Sequence, residues 1–81
     1  MSRAWIPNLK WPAVAGAVRD RIADGTLKPG AVASIGRLAP EFRVSRDTAA
    51  RALAALEADG VLSRVPGVGY VVLEPPGPEP G

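Results

Sequence analysis

Apolar positions recur with a helical period in three stretches of the chain and as β-branched runs in its last third. The clearest helix lies in residues 44–60. At about 100° per residue, Ala49, Ala52, Leu53 and Leu56 fall on one face, while Asp47, Ala50, Arg51, Ala54 and Ala58 fall on the other. Ser45 stands where an N-cap is needed, with a hydroxyl placed to accept from the amide of Asp47 or Thr48, and Gly60 supplies the left-handed residue that ends a helix. Upstream, Trp11-Pro12 opens another helix, since proline is favoured in a first turn, and Val14, Ala15, Val18 and Ile22 point inward up to Asp24-Gly25. Its polar residues Arg19, Asp20, Arg21 and Asp24 read as a solvated surface. Residues 34–43 predict a short helix between these two, with Leu38 and Phe42 inward at i and i+4. Pro40 lacks an amide donor, so regular helix is expected only from about Arg37. Arg43-Val44-Ser45 is then a tight connection with Val44 buried, and two helices joined so closely suggest a helix-turn-helix.

After Gly60, Val61-Leu62-Ser63-Arg64-Val65 and Tyr70-Val71-Val72-Leu73 flank Pro66-Gly67-Val68-Gly69, which predicts a β-hairpin. Thr26-Leu27-Lys28-Pro29-Gly30 is a turn, with Leu27 as its anchor in the core, and Ala31-Val32-Ala33 is a small strand able to pair with the hairpin. The expected fold is α+β: a winged helix-turn-helix of three helices with a C-terminal β-hairpin wing over residues 11–73. Residues 1–10 form an arm whose Trp5 packs on the domain. A basic arm entering the minor groove through Arg3 and Lys10 is the less supported alternative. Residues 74–81 contain only Pro, Gly and Glu, which cannot bury a core, and form an extended tail.

Composition narrows the chemistry. The 81 residues include neither cysteine nor histidine. That removes disulfides, the common zinc sites, the usual general base near neutral pH and every Ser-His or Cys-His nucleophile. No catalytic residue, metal or cofactor is therefore expected, and the chain is not read as an enzyme. Ten Lys and Arg stand against eight Asp and Glu, but Glu74 and Glu79 lie in the tail, so residues 1–73 carry ten against six, a net +4. A basic domain favours anionic partners. No apolar run reaches the roughly 20 residues that span a bilayer, and the N-terminus lacks a signal-peptide core, so a soluble cytoplasmic protein without a membrane partner follows by default.

The free face of the 44–60 helix sharpens the choice of partner. It carries small alanines beside Arg46 and Arg51 where a solvated helix would carry many Lys and Glu, and small side chains permit close approach of something large. The major groove of duplex DNA admits a helix, and cations at its N-terminal end reach phosphates or guanine edges. Packing against another protein explains the same alanines, and helical patterning alone does not separate the two. At the hairpin, turn closure accounts for at least one of Gly67 and Gly69.

In order along the chain stand Leu27-x-Pro29-Gly30, Val44-Ser45-Arg46-x-Thr48, Leu53-x-x-Leu56-Glu57-x-x-Gly60 and Gly67-x-Gly69-Tyr70-x-Val72. This series resembles the winged-helix DNA-binding domain of GntR-type bacterial transcriptional regulators, from about Trp11 to Leu73. The resemblance implies sequence-specific binding of double-stranded DNA. Arg46 would contact a guanine or phosphate, Thr48 a phosphate, and Gly67 or its neighbours the minor groove. Together with the residue pattern, it makes Arg37, Arg43, Ser45, Arg46, Asp47, Thr48, Arg51, Arg64, Gly67 and Gly69 the candidate DNA-binding residues. Asp47 would accept from a cytosine amino group or hold Arg51 at i+4, the second role being preferred.

The sequence departs from the family pattern in places. Gly36 stands where an arginine usually enters the second helix, leaving Arg37 to substitute from one position later, and Ala50 stands where another arginine is usual. Family members continue into an effector-binding, dimerising domain, whereas this chain ends in the Pro-rich tail, so no small-molecule effector site is expected. Two half-sites would then need a homodimer formed through the arm or on DNA. The competing expectation is a winged helix used as a protein-interaction module, contacting a partner protein through the alanine face and Val68.

Overall fold

Three helices and three short strands follow one another as α1 (Lys10–Ala23), β1 (Val32–Ala33), α2 (Ile35–Phe42), α3 (Arg46–Ala58), β2 (Leu62–Val65) and β3 (Gly69–Val72). The computed structural model describes residues 10–74; the N-terminal arm up to residue 9 and the tail from residue 75 lie outside the described residues. The α+β winged helix-turn-helix is as expected, and the small strand before α2 joins the hairpin in one antiparallel sheet of order β1-β3-β2. Val32 and Ala33 pair with Val71 and Tyr70, while Leu62 to Val65 pair with Val72 to Gly69.

The core is built on α3. Ala49, Ala52, Leu53 and Leu56 are all fully buried, the same four residues whose spacing predicted an inward face. Alanines on that face let neighbouring helices approach, and α1 lays Val14, Ala15 and Val18 against it. Leu38 and Ala39 of α2 cover one flank, and Leu62 and Val72 close the core from the sheet. Burying a leucine or valine side chain is worth about 1.5–3 kcal/mol, so these few residues carry most of the stabilisation in a domain this small. Leu27 packs on the core from its turn, where the Ala31 amide donates to the Lys28 carbonyl at 2.9 Å around Pro29-Gly30.

Helix α2 differs from expectation. It begins at Ile35, capped by Ser34, and runs through Pro40. Two features explain the longer helix. The Ser34 hydroxyl accepts from the Arg37 amide, which holds the first turn together. The bond that Pro40 cannot donate would have gone to the Gly36 carbonyl, and both residues are exposed, so the freed carbonyl faces solvent rather than the core.

Among the described residues two ion pairs tie the helices across the surface. Arg19 of α1 pairs with Asp59 at the end of α3, and Arg21 of α1 pairs with Glu41 of α2 while its guanidinium lies 5.0 Å from the centroid of the Phe42 ring. The hydrogen bond from Arg21 holds the Glu41 carboxyl below its ordinary value against the opposing effect of burial, with the charges of Arg21 and Arg37 adding to the lowering. Hydrogen bonds from Thr26 do the same for Asp24. Both folded values lie below the unfolded ones, so this stabilisation is complete above the ordinary carboxylate range near pH 4 and is lost as the pH falls through the lower folded values. Thermal melts should therefore show Tm falling below about pH 4.5, and Glu41→Gln should make that fall shallower. Superimposable acid profiles for the two proteins would exclude a contribution from the Arg21–Glu41 pair.

Candidate nucleic-acid interface

The N-terminal end of α3 is organised by one hydroxyl. Ser45 Oγ accepts from the Thr48 amide at 3.0 Å and donates to Thr48 Oγ1 at 3.0 Å. The amide bond satisfies one of the orphan donors of the first turn. The side-chain bond occupies a lone pair of Thr48 and leaves that residue its own proton to donate elsewhere. Ser45 is thus committed to positioning, and Thr48 is the oriented donor.

The connection into α3 is equally constrained. Arg43 is the sole non-glycine residue with positive φ among the described residues, at φ 57° and ψ 46°. Its amide donates to the Pro40 carbonyl at 3.3 Å, and the Val44 amide donates to the Ala39 carbonyl at 3.0 Å, the paired bonds of a Schellman ending. Glycine is the usual residue at such a position; here an exposed arginine occupies it two residues before the cap of α3. Val44, expected to be buried, is half-buried against the core.

With the Ala and Leu face inward, α3 presents Asp47, Arg51, Ala54 and Ala58 outward, all exposed, with exposed Arg46 at the first position. The i+4 pair expected between Asp47 and Arg51 is not formed: the ion pairs among the described residues are Arg19–Asp59 and Arg21–Glu41. The acidic residue Asp59 at the far end of the helix is matched by Arg19, so positive charge on α3 is confined to its N-terminal half.

The hairpin brings Arg64, Gly67 and Gly69 together around a hollow of about 280 Å³ that also meets Ile35, the first residue of α2. Arg64 lies opposite Tyr70, and both share the sheet face on which Leu62 and Val72 enter the core, so Arg64 emerges on the helix side of the wing. The two glycines have separate reasons. Gly67 takes φ 80° after Pro66, and the Val68 amide donates to the Val65 carbonyl at 3.0 Å, the order of a type II turn. Gly69 takes φ 126°, and a Cβ there would stand 3.4 Å from the carbonyl oxygen of Ala33 on the paired strand β1. Both glycines are thereby accounted for by the backbone. Arg37 is exposed in the first turn of α2, near enough to Glu41 to lower its carboxyl. Sequence reasoning missed Tyr70 as a wall of the wing hollow, which the alternation of β3 against Arg64 would have indicated.

Residues 12–72 match the family described as bacterial regulatory proteins, gntR family. A GntR-family transcriptional regulator of known structure is 34% identical, with a TM-score of 0.78 over 86% of this chain and 28% of that one. The AraR DNA-binding domain, solved in complex with operator ORR3, is 29% identical, with a TM-score of 0.74 over 89% of this chain and 86% of that one. The regulator YydK of Bacillus subtilis is 27% identical, with a TM-score of 0.71 over 80% of this chain and 29% of that one. The chain thus spans under a third of two of these proteins and most of the AraR domain. No curated protein matches it. Among the described residues no helix is long and apolar enough to cross a membrane.

A left-handed backbone costs a non-glycine residue about 1–2 kcal/mol, offset in part by the extra entropy glycine loses on folding. Arg43→Gly should therefore stabilise the domain by about 0.5–1 kcal/mol and raise Tm by roughly 2–8 °C. An unchanged or lower Tm in scanning calorimetry would mean that the arginine side chain is held by compensating contacts in the free protein.

Proposed function

The chain belongs to the gntR family of bacterial regulatory proteins, and we propose that it binds duplex DNA sequence-specifically as a transcriptional regulator, in the cytoplasm and without a catalytic step. The observation that carries this reading is the construction of α3. Its inward face is spent on the core, its outward face is small, and its cations sit at the capped end beside an oriented Thr48 hydroxyl. A helix so built can enter the major groove with its first turns against base edges. The AraR domain, which this chain matches over most of both lengths, is known bound to operator DNA.

Within this reading Arg46 and Arg51 serve the groove, Arg46 at a guanine edge or an adjacent phosphate. Thr48 donates to a phosphate, and Ser45 holds it in place. Asp47, exposed and without an ion-pair partner among the described residues, is free to accept from a cytosine amino group, where an acid contributes specificity that phosphate repulsion would otherwise forbid. Arg37 and Arg43 take phosphates on the helix-turn-helix side. Arg64 and the backbone at Gly67 lie along the neighbouring minor groove, with Gly69 setting the angle of the wing. A domain of this size reads few base pairs, so two copies on adjacent half-sites form the specific complex.

Arg46→Ala should weaken binding to a duplex selected from a random-sequence pool by about 1–3 kcal/mol, with an unchanged circular dichroism spectrum. Equal affinity for that duplex would remove Arg46 from the interface. Each phosphate neutralised contributes about 0.9 to the slope of log affinity against log salt, so Arg37 and Arg43 together give a slope of about −2 per copy. An affinity indifferent to salt would instead point to an apolar partner at the alanine face and Val68.

A further inference from the structure

Helix α1 keeps one face clear of the core. At about 100° per residue, Lys10, Ala13, Ala17 and Asp20 fall within an arc of about 80°. Lys10, Ala13 and Asp20 are exposed, and Ala17 is half-buried. Along the first three of these positions runs an apolar groove of about 490 Å³, lined also by Val14, Phe42 and Val44, whose charged residues are Lys10 and Arg43. A small-molecule site would need several convergent polar side chains, which this groove lacks. The charges at the two ends of the face are unmatched. Lys10 and Asp20 enter no ion pair among the described residues, whereas Arg19 and Arg21, the cations beside Asp20, are taken by Asp59 and Glu41.

We propose that this face is the contact between two copies of the chain, packed as antiparallel α1 helices about a two-fold axis level with Ala15. In that register Lys10 faces Asp20 of the second copy, Ala13 faces its Ala17, and the symmetry repeats both pairs. Charge selects this occupant. The face is basic at its start and acidic ten residues later, so it complements itself when reversed, whereas a parallel pair would set Lys10 against Lys10 and Asp20 against Asp20. Reversal also brings Asp20 to the N-terminal end of the opposite helix, where the helix dipole favours an acid. Spacing agrees with charge. Steps of three, four and three residues keep one seam in register along two helices, and alanines at its centre let the backbones approach while Phe42 and Val44 add apolar surface beside it. Because α1 lays its other face against the buried side of α3, the contact leaves Arg46, Thr48 and Arg51 free, and only Arg43 borders both surfaces. The seam from Lys10 to Asp20 is about 15 Å long. It covers less than the roughly 800 Å² per partner of a standard interface, so the dimer is weak in solution.

Sedimentation equilibrium of the full chain, without DNA, should show monomer giving way to dimer as the concentration rises towards about 1 mM. Lys10→Glu and Asp20→Lys each set like charges together in both symmetry-related pairs, so each should weaken association several-fold. The double variant Lys10→Glu, Asp20→Lys restores opposite charges and should return association to within about twofold of the wild type. Both positions are exposed, so thermal melts of the three variants should stay close to that of the wild type. A chain that remains monomeric at the highest concentration would overturn the proposal. So would association indifferent to both single substitutions, which would move the contact to another surface such as the exposed sheet residues Val32, Val65 and Leu73. A double variant weaker than either single one would overturn the antiparallel register. None of these outcomes bears on DNA binding, which is measured separately.

Discussion

The buried face of α3 is the constraint on which the rest depends. Ala49, Ala52, Leu53 and Leu56 receive α1, α2 and the sheet at once, and because none of the four can turn outward without exposing the core, the helix cannot rotate. Its outward residues are fixed as the complement of that packing. Asp47, Arg51, Ala54 and Ala58 are therefore presented because their neighbours one or two positions away are held inward, which makes the core the determinant of the surface offered to a partner. The alanines serve on both sides: inside they let helices approach, and outside they keep the helix narrow.

Local hydrogen bonding then decides how that helix is entered. The Ser45–Thr48 pair sets the first turn, and the left-handed Arg43 sets the angle between α2 and α3. A glycine at position 43 would reach the same backbone with less strain, so the arginine is a feature that stability alone does not explain. Strain tolerated at an exposed cation next to a helix cap agrees with a side chain kept for a ligand, and it is independent of the periodicity that located α3.

Much of this was legible in the sequence because the relevant physics is local. Helical spacing named all four buried residues of α3, and the Ser45 cap and the Pro66-Gly67 turn follow from residue types that few backbone conformations suit. The start of α2 was not legible: whether Pro40 breaks a helix depends on which carbonyl it orphans and whether water reaches it, a tertiary fact. Arg19 and Arg21 read as solvated surface because their partners Asp59 and Glu41 are distant in sequence. The converse error is Asp47 with Arg51, where i+4 spacing suggested a pair that an exposed helix has little reason to hold, since such pairs contribute only about 0.3–0.5 kcal/mol and cost side-chain entropy. Gly69 was assigned to the wing tip, and its close approach to β1 became visible only with the strand order.

The distribution of charge follows from the same geometry. Arg19 neutralises Asp59 and Arg21 neutralises Glu41, while Arg37, Arg43, Arg46, Arg51 and Arg64 enter no ion pair among the described residues. Five unpaired arginines on a domain of net charge +4 over residues 1–73 are costly to the folded state through mutual repulsion, and an anionic ligand relieves that cost. Only two of the five are on α3, so a helix inserted alone would be weakly held. In the proposed DNA complex, Arg37 beside the entry to α2 and Arg64 on the helix side of the wing would add to that contact. On the proposed reading the short cationic helix would need the wing, and the sheet that carries the wing is anchored by Leu62 and Val72 in the same core as the leucines that orient the helix.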